Sequence, residues 1–220
     1  MEDLKGKTAF ITGGASGLGL AMAHAFGEAG MQVMLADIEE APLAKAVAEL
    51  EERQIRASGV LCDVAIRNAV EAAAQKTIET FGKVHVVCNN AGVGAGGPID
   101  QVRHSDWDWI MAVNVMGVVY GMETFLPLIR SHGEGGAFVN TASMAGMISP
   151  PGMEPYSATK FAVVAMSEGW AGQLAPENIN VSVLCPGFVR TKINQSGRTR
   201  QAQYGGPVES PVVAGNLVDS

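Results

Sequence analysis

Apolar positions along the chain fall into short runs that alternate with longer stretches of helical spacing. The runs at residues 8–12, 31–37, 56–63, 84–89, 136–141 and 179–184 read as six strands. The stretches at 17–29, 41–53, 65–81, 106–130 and 156–174 read as helices. Pro42 suits a first helical turn, and Pro127 predicts a bend in the long helix. Strands that are apolar on both faces and alternate with helices imply a parallel sheet covered on both sides. The predicted fold is a Rossmann-type, doubly wound α/β domain with three layers, α/β/α.

The pattern fades after Pro186. Thr191, Lys192, Asn194, Gln195, Ser196 and Arg198, followed by the turn signal Gly205-Gly206-Pro207, show little periodicity. This segment reads as a loop or lid, not as a second domain. The expected organisation is one domain over 1–220, with a core at 1–186 and a substrate lid at 187–220.

Composition narrows the function classes. With 220 residues, 47% hydrophobic and 17% charged, the chain can bury a sizeable core. A formal net charge of -7 offers no electrostatic footprint for nucleic acid or an anionic membrane. The start, MEDLKGKTAF, lacks the basic and apolar regions of a signal peptide, and no run of about 18 apolar residues predicts a membrane span. Cys62, Cys88 and Cys185 are far apart and odd in number, which suits free thiols in the cytoplasm. His24, His85, His104 and His132 form no ligand-spaced pair, so no metal is expected.

Chemistry enters at the first strand-to-helix turn, Thr12-Gly13-Gly14-Ala15-Ser16-Gly17-Leu18-Gly19. Glycines let backbone approach a pyrophosphate, and the helix N-terminus supplies unpaired N–H groups and partial positive charge. Asp37 ends the second strand, where an acidic residue meets the adenosine ribose of a dinucleotide. Its carboxylate would accept hydrogen bonds from the ribose hydroxyls and repel an added phosphate. The expected cofactor is therefore NAD, with NADP disfavoured. No Arg or Lys adjoins Asp37 in sequence: Ile38 and Glu39 follow it.

The glycine spacing at 13, 17 and 19 resembles the compact, single-domain branch of the short-chain dehydrogenase/reductase family. Asn89-Asn90-Ala91-Gly92 resembles the family's NNAG element, and Pro186-Gly187-Phe188-Val189-Arg190-Thr191 its PG element at the nicotinamide end. Asp63 ends the third strand, where the family contacts adenine. The resemblance implies a cofactor site of Gly13, Ser16, Gly17, Leu18, Gly19, Asp37, Ile38, Asp63, Val64, Asn90, Ala91, Gly92, Tyr156, Lys160, Pro186, Gly187, Val189 and Thr191. It runs from Lys7 to Thr191. Family members continue with another helix and a seventh strand, so the resemblance implies a truncated chain.

Tyr156 and Lys160 stand four apart, which puts both side chains on one helix face. Hydride transfer to a ketone needs a proton donor at the oxygen, and the reverse reaction needs a base there. Tyrosine titrates near about pH 10, and a nearby ammonium favours its phenolate. Lys160 is therefore expected to lower the pKa of Tyr156, and by resemblance to bind the nicotinamide ribose. Ser143, after the fifth strand, can hold the substrate oxygen. Asn114 resembles the family residue that supports a water relay to the lysine.

The expected pocket walls are residues 93–98, 144–153 and the segment after Gly187. Met144, Met147, Ile148 and Met153 make the middle wall apolar and adaptable. No Arg or Lys lies within 91–101 or 141–157, so a clamp for an anionic substrate would have to come from Arg190, Lys192, Arg198 or Arg200 of the lid. Asp106-Trp107-Asp108-Trp109-Ile110 and Val119-Tyr120-Gly121-Met122 are similar to bacterial members that oxidise benzylic alcohols of aryl ethers. The resulting expectation is an oxidoreductase for a bulky or aromatic secondary alcohol or its ketone, assembled as a homodimer or homotetramer. Two other readings use the same fold. A non-catalytic nucleotide-binding sensor need not keep Ser143, Tyr156 and Lys160, and an epimerase or dehydratase shows a different glycine spacing.

Overall fold

The computed structural model describes residues 3–208. The last part of the expected lid, 209–220, lies outside the described residues. Six strands, β1 (Thr8–Thr12), β2 (Gln32–Asp37), β3 (Ala57–Leu61), β4 (Val86–Asn89), β5 (Gly136–Thr141) and β6 (Ile179–Leu184), form one parallel sheet in the order β3-β2-β1-β4-β5-β6. The order reverses between β1 and β4. In such a sheet the crevice for a ligand opens there, outside the carboxyl ends of the strands.

Alternation along the strands sorts the core into two layers. Ala9, Ile11, Val33 and Leu35 pack with Leu43 and Leu50 of helix α2 (Glu40–Glu52), beside helix α1 (Gly17–Glu28). Phe10, Met34, Val87 and Phe138 face the other way. They meet helices α3 (Arg67–Phe81), α4 (His104–Met111), α5 (Gly117–His132) and α6 (Glu154–Leu174) through Val70, Ile110, Phe125 and Leu174. The rings of Phe10 and Phe125 lie 4.4 Å apart by centroid, both fully buried. Each such side chain contributes about 1.5–3 kcal/mol.

Three expectations about elements are corrected. The third strand ends at Leu61, so Asp63 follows it; its chain still runs beside β2, with Cys62 N–H donating to the Asp37 carbonyl at 2.9 Å. The long helix runs from His104 to His132, two residues further at each end than expected, and includes a π-helical turn at Ala112–Met116 that the sequence did not suggest. Pro127 lies inside α5. The lid is not irregular throughout: 3₁₀ turns form at Ile193–Thr199 and Ala202–Tyr204.

Helix 104–132 is also long and apolar enough to cross a membrane by length and composition, which the run-based reading of the sequence missed. Its apolar residues have a packing explanation, since Val118, Met122, Phe125 and Ile129 are buried in the core.

At the far end of the sheet His85, His132 and Glu134 come together, a cluster that no spacing in the sequence suggested. Its ring nitrogens are already used. His85 Nδ1 accepts from Thr8 N–H at 3.1 Å and its Nε2 meets Glu134 at 3.1 Å. His132 Nε2 donates to the Val84 carbonyl at 2.9 Å and its Nδ1 accepts from Glu134 N–H at 3.2 Å.

Candidate active site

The turn between β1 and α1 is built from glycine because no side chain fits. Gly13 and Gly17 have φ of +63° and +56°, in the left-handed region. A Cβ on Gly19 would stand 2.1 Å from the Gly13 carbonyl oxygen. The turn therefore lies flat against the start of α1 and presents backbone N–H groups, a fit to the pyrophosphate of a dinucleotide. Asn90 clamps it from β4: its Nδ2 donates to the Thr12 carbonyl at 3.0 Å, and its Oδ1 accepts from Thr141 Oγ1 at 3.2 Å.

Asp37 joins this turn to the end of β2. Its Oδ2 accepts from Ala15 N–H and its Oδ1 from Glu39 N–H, both at 3.0 Å. Asp63 accepts from Ala65 N–H at 3.0 Å and, with its other oxygen, from the Gln201 side chain at 2.7 Å.

The catalytic candidates converge at the carboxyl ends of β4 and β5. Ser143 sits just beyond β5 in extended backbone, its Oγ accepting from Ala145 N–H at 3.1 Å. Tyr156 and Lys160 stand on the same face of α6, with the Lys160 Nζ 5.5 Å from the centre of the Tyr156 ring. The Lys160 ammonium is buried and donates to the Thr141 carbonyl at 2.8 Å. Burial without a carboxylate partner brings its pKa down to about 8.

Burial also raises the Tyr156 phenol, and the Ser143 hydroxyl beside it pulls in the opposite direction. The expectation that Lys160 depresses this phenol is therefore corrected for the protein alone. Desolvation is the dominant influence, and Lys160 is not among its causes.

Asn114 lies in the π turn and is buried. Its side chain clasps Val93, accepting from its N–H at 2.8 Å and donating to its carbonyl at 2.9 Å, and donates to Thr159 Oγ1 at 3.1 Å. A widened turn at this position sets the amide against the strand-end loop, a common use of π bulges. Gly92 lies between Asn114 and Lys160, where a Cβ would just touch both side chains at 3.4 Å.

One cavity of about 450 Å³ joins these parts. Ser16, Leu18, Ile38, Val64, Ala91, Pro186, Gly187, Val189 and Thr191 line it together with Gly13, Gly17, Asp37, Asp63, Asn90, Gly92, Ser143, Tyr156 and Lys160. Of the residues expected from sequence, Gly19 and Asn114 stand behind the wall. The substrate end is apolar: Met144, Ile148, Met153 and Phe188 line it, and Phe188 is 88% exposed. Met147 is exposed but does not line the cavity. Cys62 and Cys88 offer no ready thiolate, since burial pushes both thiols up to about 12.

Sequence reasoning missed the contacts that strap the 193–204 segment over this cavity. Ser196 Oγ accepts from Gly94 N–H at 2.9 Å. Arg200 is buried, pairs with Asp106, donates to Ser105 Oγ at 3.0 Å and lies 5.2 Å over the Trp109 ring. Arg198 pairs with Glu39. Two of the lid cations are thus already engaged by carboxylates.

Residues 7–202 match the family model for short chain dehydrogenases. A C alpha-dehydrogenase of Sphingobium sp. (strain NBRC 103272 / SYK-6) is 39% identical over 206 residues, covering 93% of this chain and 68% of that protein. A CLA biosynthesis dehydrogenase/reductase of Lactiplantibacillus plantarum is 36% identical, covering 95% of this chain and 74% of that protein. The crystal structure of a short chain dehydrogenase/reductase from Burkholderia phymatum in complex with NAD superposes with a TM-score of 0.91 at 41% identity, over 94% of this chain and 75% of that one. With the glycine turn, the Ser143-Tyr156-Lys160 cluster and these likenesses in agreement, the chain belongs to the short-chain dehydrogenase/reductase family and is an oxidoreductase that transfers a hydride between a nicotinamide cofactor and an alcohol or ketone.

Proposed function

We propose that this enzyme uses NAD and interconverts a bulky, aromatic secondary alcohol and its ketone, with Tyr156 moving the proton. The observation that carries the reading is that Tyr156 and Ser143 share one cavity wall with the exposed apolar surface of Met144, Ile148 and Phe188. Ser143 holds the substrate oxygen, and the Tyr156 phenol gives a proton to that oxygen or takes one from it. Lys160 binds the nicotinamide ribose and keeps a positive charge beside Tyr156. When bound, the nicotinamide accepts or supplies the hydride. The likeness to a relative named a C alpha-dehydrogenase supports a dehydrogenase reaction.

NAD is favoured because Asp37 lines the cavity where the adenosine ribose would lie. A 2′-phosphate there would face a like charge, at about 4 kcal/mol for two unit charges at about 4 Å and an effective dielectric near 20. The test is kcat/KM over a panel of benzylic and short aliphatic secondary alcohols, with NAD and with NADP, in wild type and Asp37→Ala. We expect benzylic substrates and NAD to lead, and Asp37→Ala to narrow the cofactor preference. A preference for short aliphatic alcohols, or for NADP, would refute the respective part.

We also read the enzyme as a cytoplasmic homodimer or homotetramer. Ala158, Phe161, Ala165, Gly169 and Gly172 form an exposed, small and apolar stripe on α6, the kind of face that lets a second helix approach closely. A monomeric mass by light scattering at micromolar concentration would refute the assembly.

A further inference from the structure

Glu39 puts a second carboxylate at the adenosine end of the cavity, on the wall that carries Asp37. Sequence offers no cation beside these two acids, but the fold brings one from 159 residues away. Arg198 donates Nε to Glu39 Oε1 at 3.1 Å and a terminal nitrogen to Oε2 at 2.5 Å. Its other terminal nitrogen donates to the Gln195 carbonyl at 2.9 Å and toward that of Lys192 at 3.4 Å. The strap's own backbone therefore fixes one edge of the guanidinium. The opposite edge, a two-donor fork, is spent on Glu39. Such a fork matches a carboxylate and a phosphate equally well. Both side chains line the cavity and stay partly open, at 35% exposure for Arg198 and 27% for Glu39.

We propose that Glu39 is a cofactor-specificity residue that acts by occupying Arg198, a guanidinium otherwise placed to receive the 2′-phosphate of NADP. Asp37, Glu39 and Arg198 together carry one net negative charge at this corner. Removing the Glu39 charge neutralises the corner and frees the fork while its backbone anchors remain. Selection against NADP then has two parts: direct repulsion by Asp37, and a cation kept out of use by Glu39. The inference rests on the reading that Asp37 faces the adenosine ribose.

The test is calorimetric titration of adenosine 5′-monophosphate and adenosine 2′,5′-bisphosphate into wild type, Glu39→Gln, Arg198→Met and the double variant. The two probes differ only in the 2′-phosphate. Glu39→Gln should tighten the bisphosphate about tenfold relative to the monophosphate, a change of about 1.4 kcal/mol. The double variant should lose that gain, and the NADP/NAD ratio of dissociation constants should follow the same pattern. No gain in Glu39→Gln would overturn the proposal. So would a gain that survives in the double variant, because relief of repulsion alone needs no Arg198. If Asp37→Ala shifts the NADP/NAD ratio but Glu39→Gln does not, the role of Asp37 stands and this inference alone fails. A wild type that prefers the bisphosphate refutes the NAD reading, while the Glu39 role is still decided by the change between variants.

Discussion

At the scale of single residues the site couples two groups that burial pushes toward neutrality. The Tyr156 phenol is raised and the Lys160 ammonium is lowered to about 8, both chiefly by desolvation. A phenol held protonated at neutral pH suits donation to a ketone, whereas alcohol oxidation needs the phenolate. Oxidation should therefore speed up as pH rises above neutral, and reduction should slow over the same range. Desolvation and not Lys160 sets the Tyr156 phenol, so Lys160→Met should leave the alkaline midpoint of the oxidation profile within about half a unit of wild type. A midpoint displaced by about one unit or more would show that Lys160 tunes the phenol after all. The same substitution does act on stability. A lysine whose folded pKa lies below its unfolded value of about 10.4 costs stability wherever it is charged, and the cost fades as pH climbs from about 8 to 10. Lys160→Met should thus raise the neutral-pH Tm while lowering activity, and a scan of both variants checks the pair of signs.

At the scale of elements the strap is the least anticipated part, and it hangs on Arg200. That residue is 3% exposed, and its guanidinium is paired with Asp106 and stacked on Trp109. Burial draws the Asp106 carboxyl upward, but hydrogen bonds from Arg103 and Arg200 outweigh it and hold the pKa at about 2. Its folded value lies below its unfolded one, so its contribution is present above about pH 4 and is lost as pH falls toward 2. Asp106→Ala leaves a buried charge unpaired, a loss of about 3–5 kcal/mol when the group cannot reach water. We expect residues 193–204 to detach before that cost reaches the core. Hydrogen exchange should accelerate there with β1 and β4 unchanged, and acceleration spread evenly over the sheet would contradict a separable strap. This contrast also shows what the sequence could tell. Six strands and the Tyr156–Lys160 pair were legible because each is a local pattern, a short continuous apolar run for a strand buried on both faces and a spacing of four for a helix face. The Asp106–Arg200 and Glu39–Arg198 pairs join residues 94 and 159 apart, and no local pattern encodes them. The π turn at Asn114 escaped for another reason: one extra residue shifts a helical pattern by one position, and residues 110–119 are apolar at nearly every position, which hides the shift. Asp106 and Trp109, which in sequence resemble a substrate subgroup, anchor in the fold the segment that lines the cavity.

At the scale of the whole molecule the strand order places everything. Reversal between β1 and β4 opens the crevice, the glycine turn after β1 floors its cofactor half, and the loops after β4 and β5 wall its substrate half. The Asn89, Asn140 and Ser167 side chains tie the sheet to α6 in a buried chain, Asn89 Nδ2 to Asn140 Oδ1 at 2.9 Å and Asn140 Nδ2 to Ser167 Oγ at 3.0 Å. The helix that carries Tyr156 is thereby fixed to the strand that leads to Ser143. This frame serves to hold one phenol where a substrate oxygen and a nicotinamide cofactor would meet. The most direct measurement compares wild type with Tyr156→Phe in two readouts: NAD affinity by titration, and NADH formation from one benzylic secondary alcohol. We expect a dissociation constant for NAD within about twofold of wild type and a turnover lower by about 10²- to 10⁴-fold, the usual worth of a general acid–base group. Turnover within a factor of about two of wild type would contradict it, since the proton would then be moving through some other group.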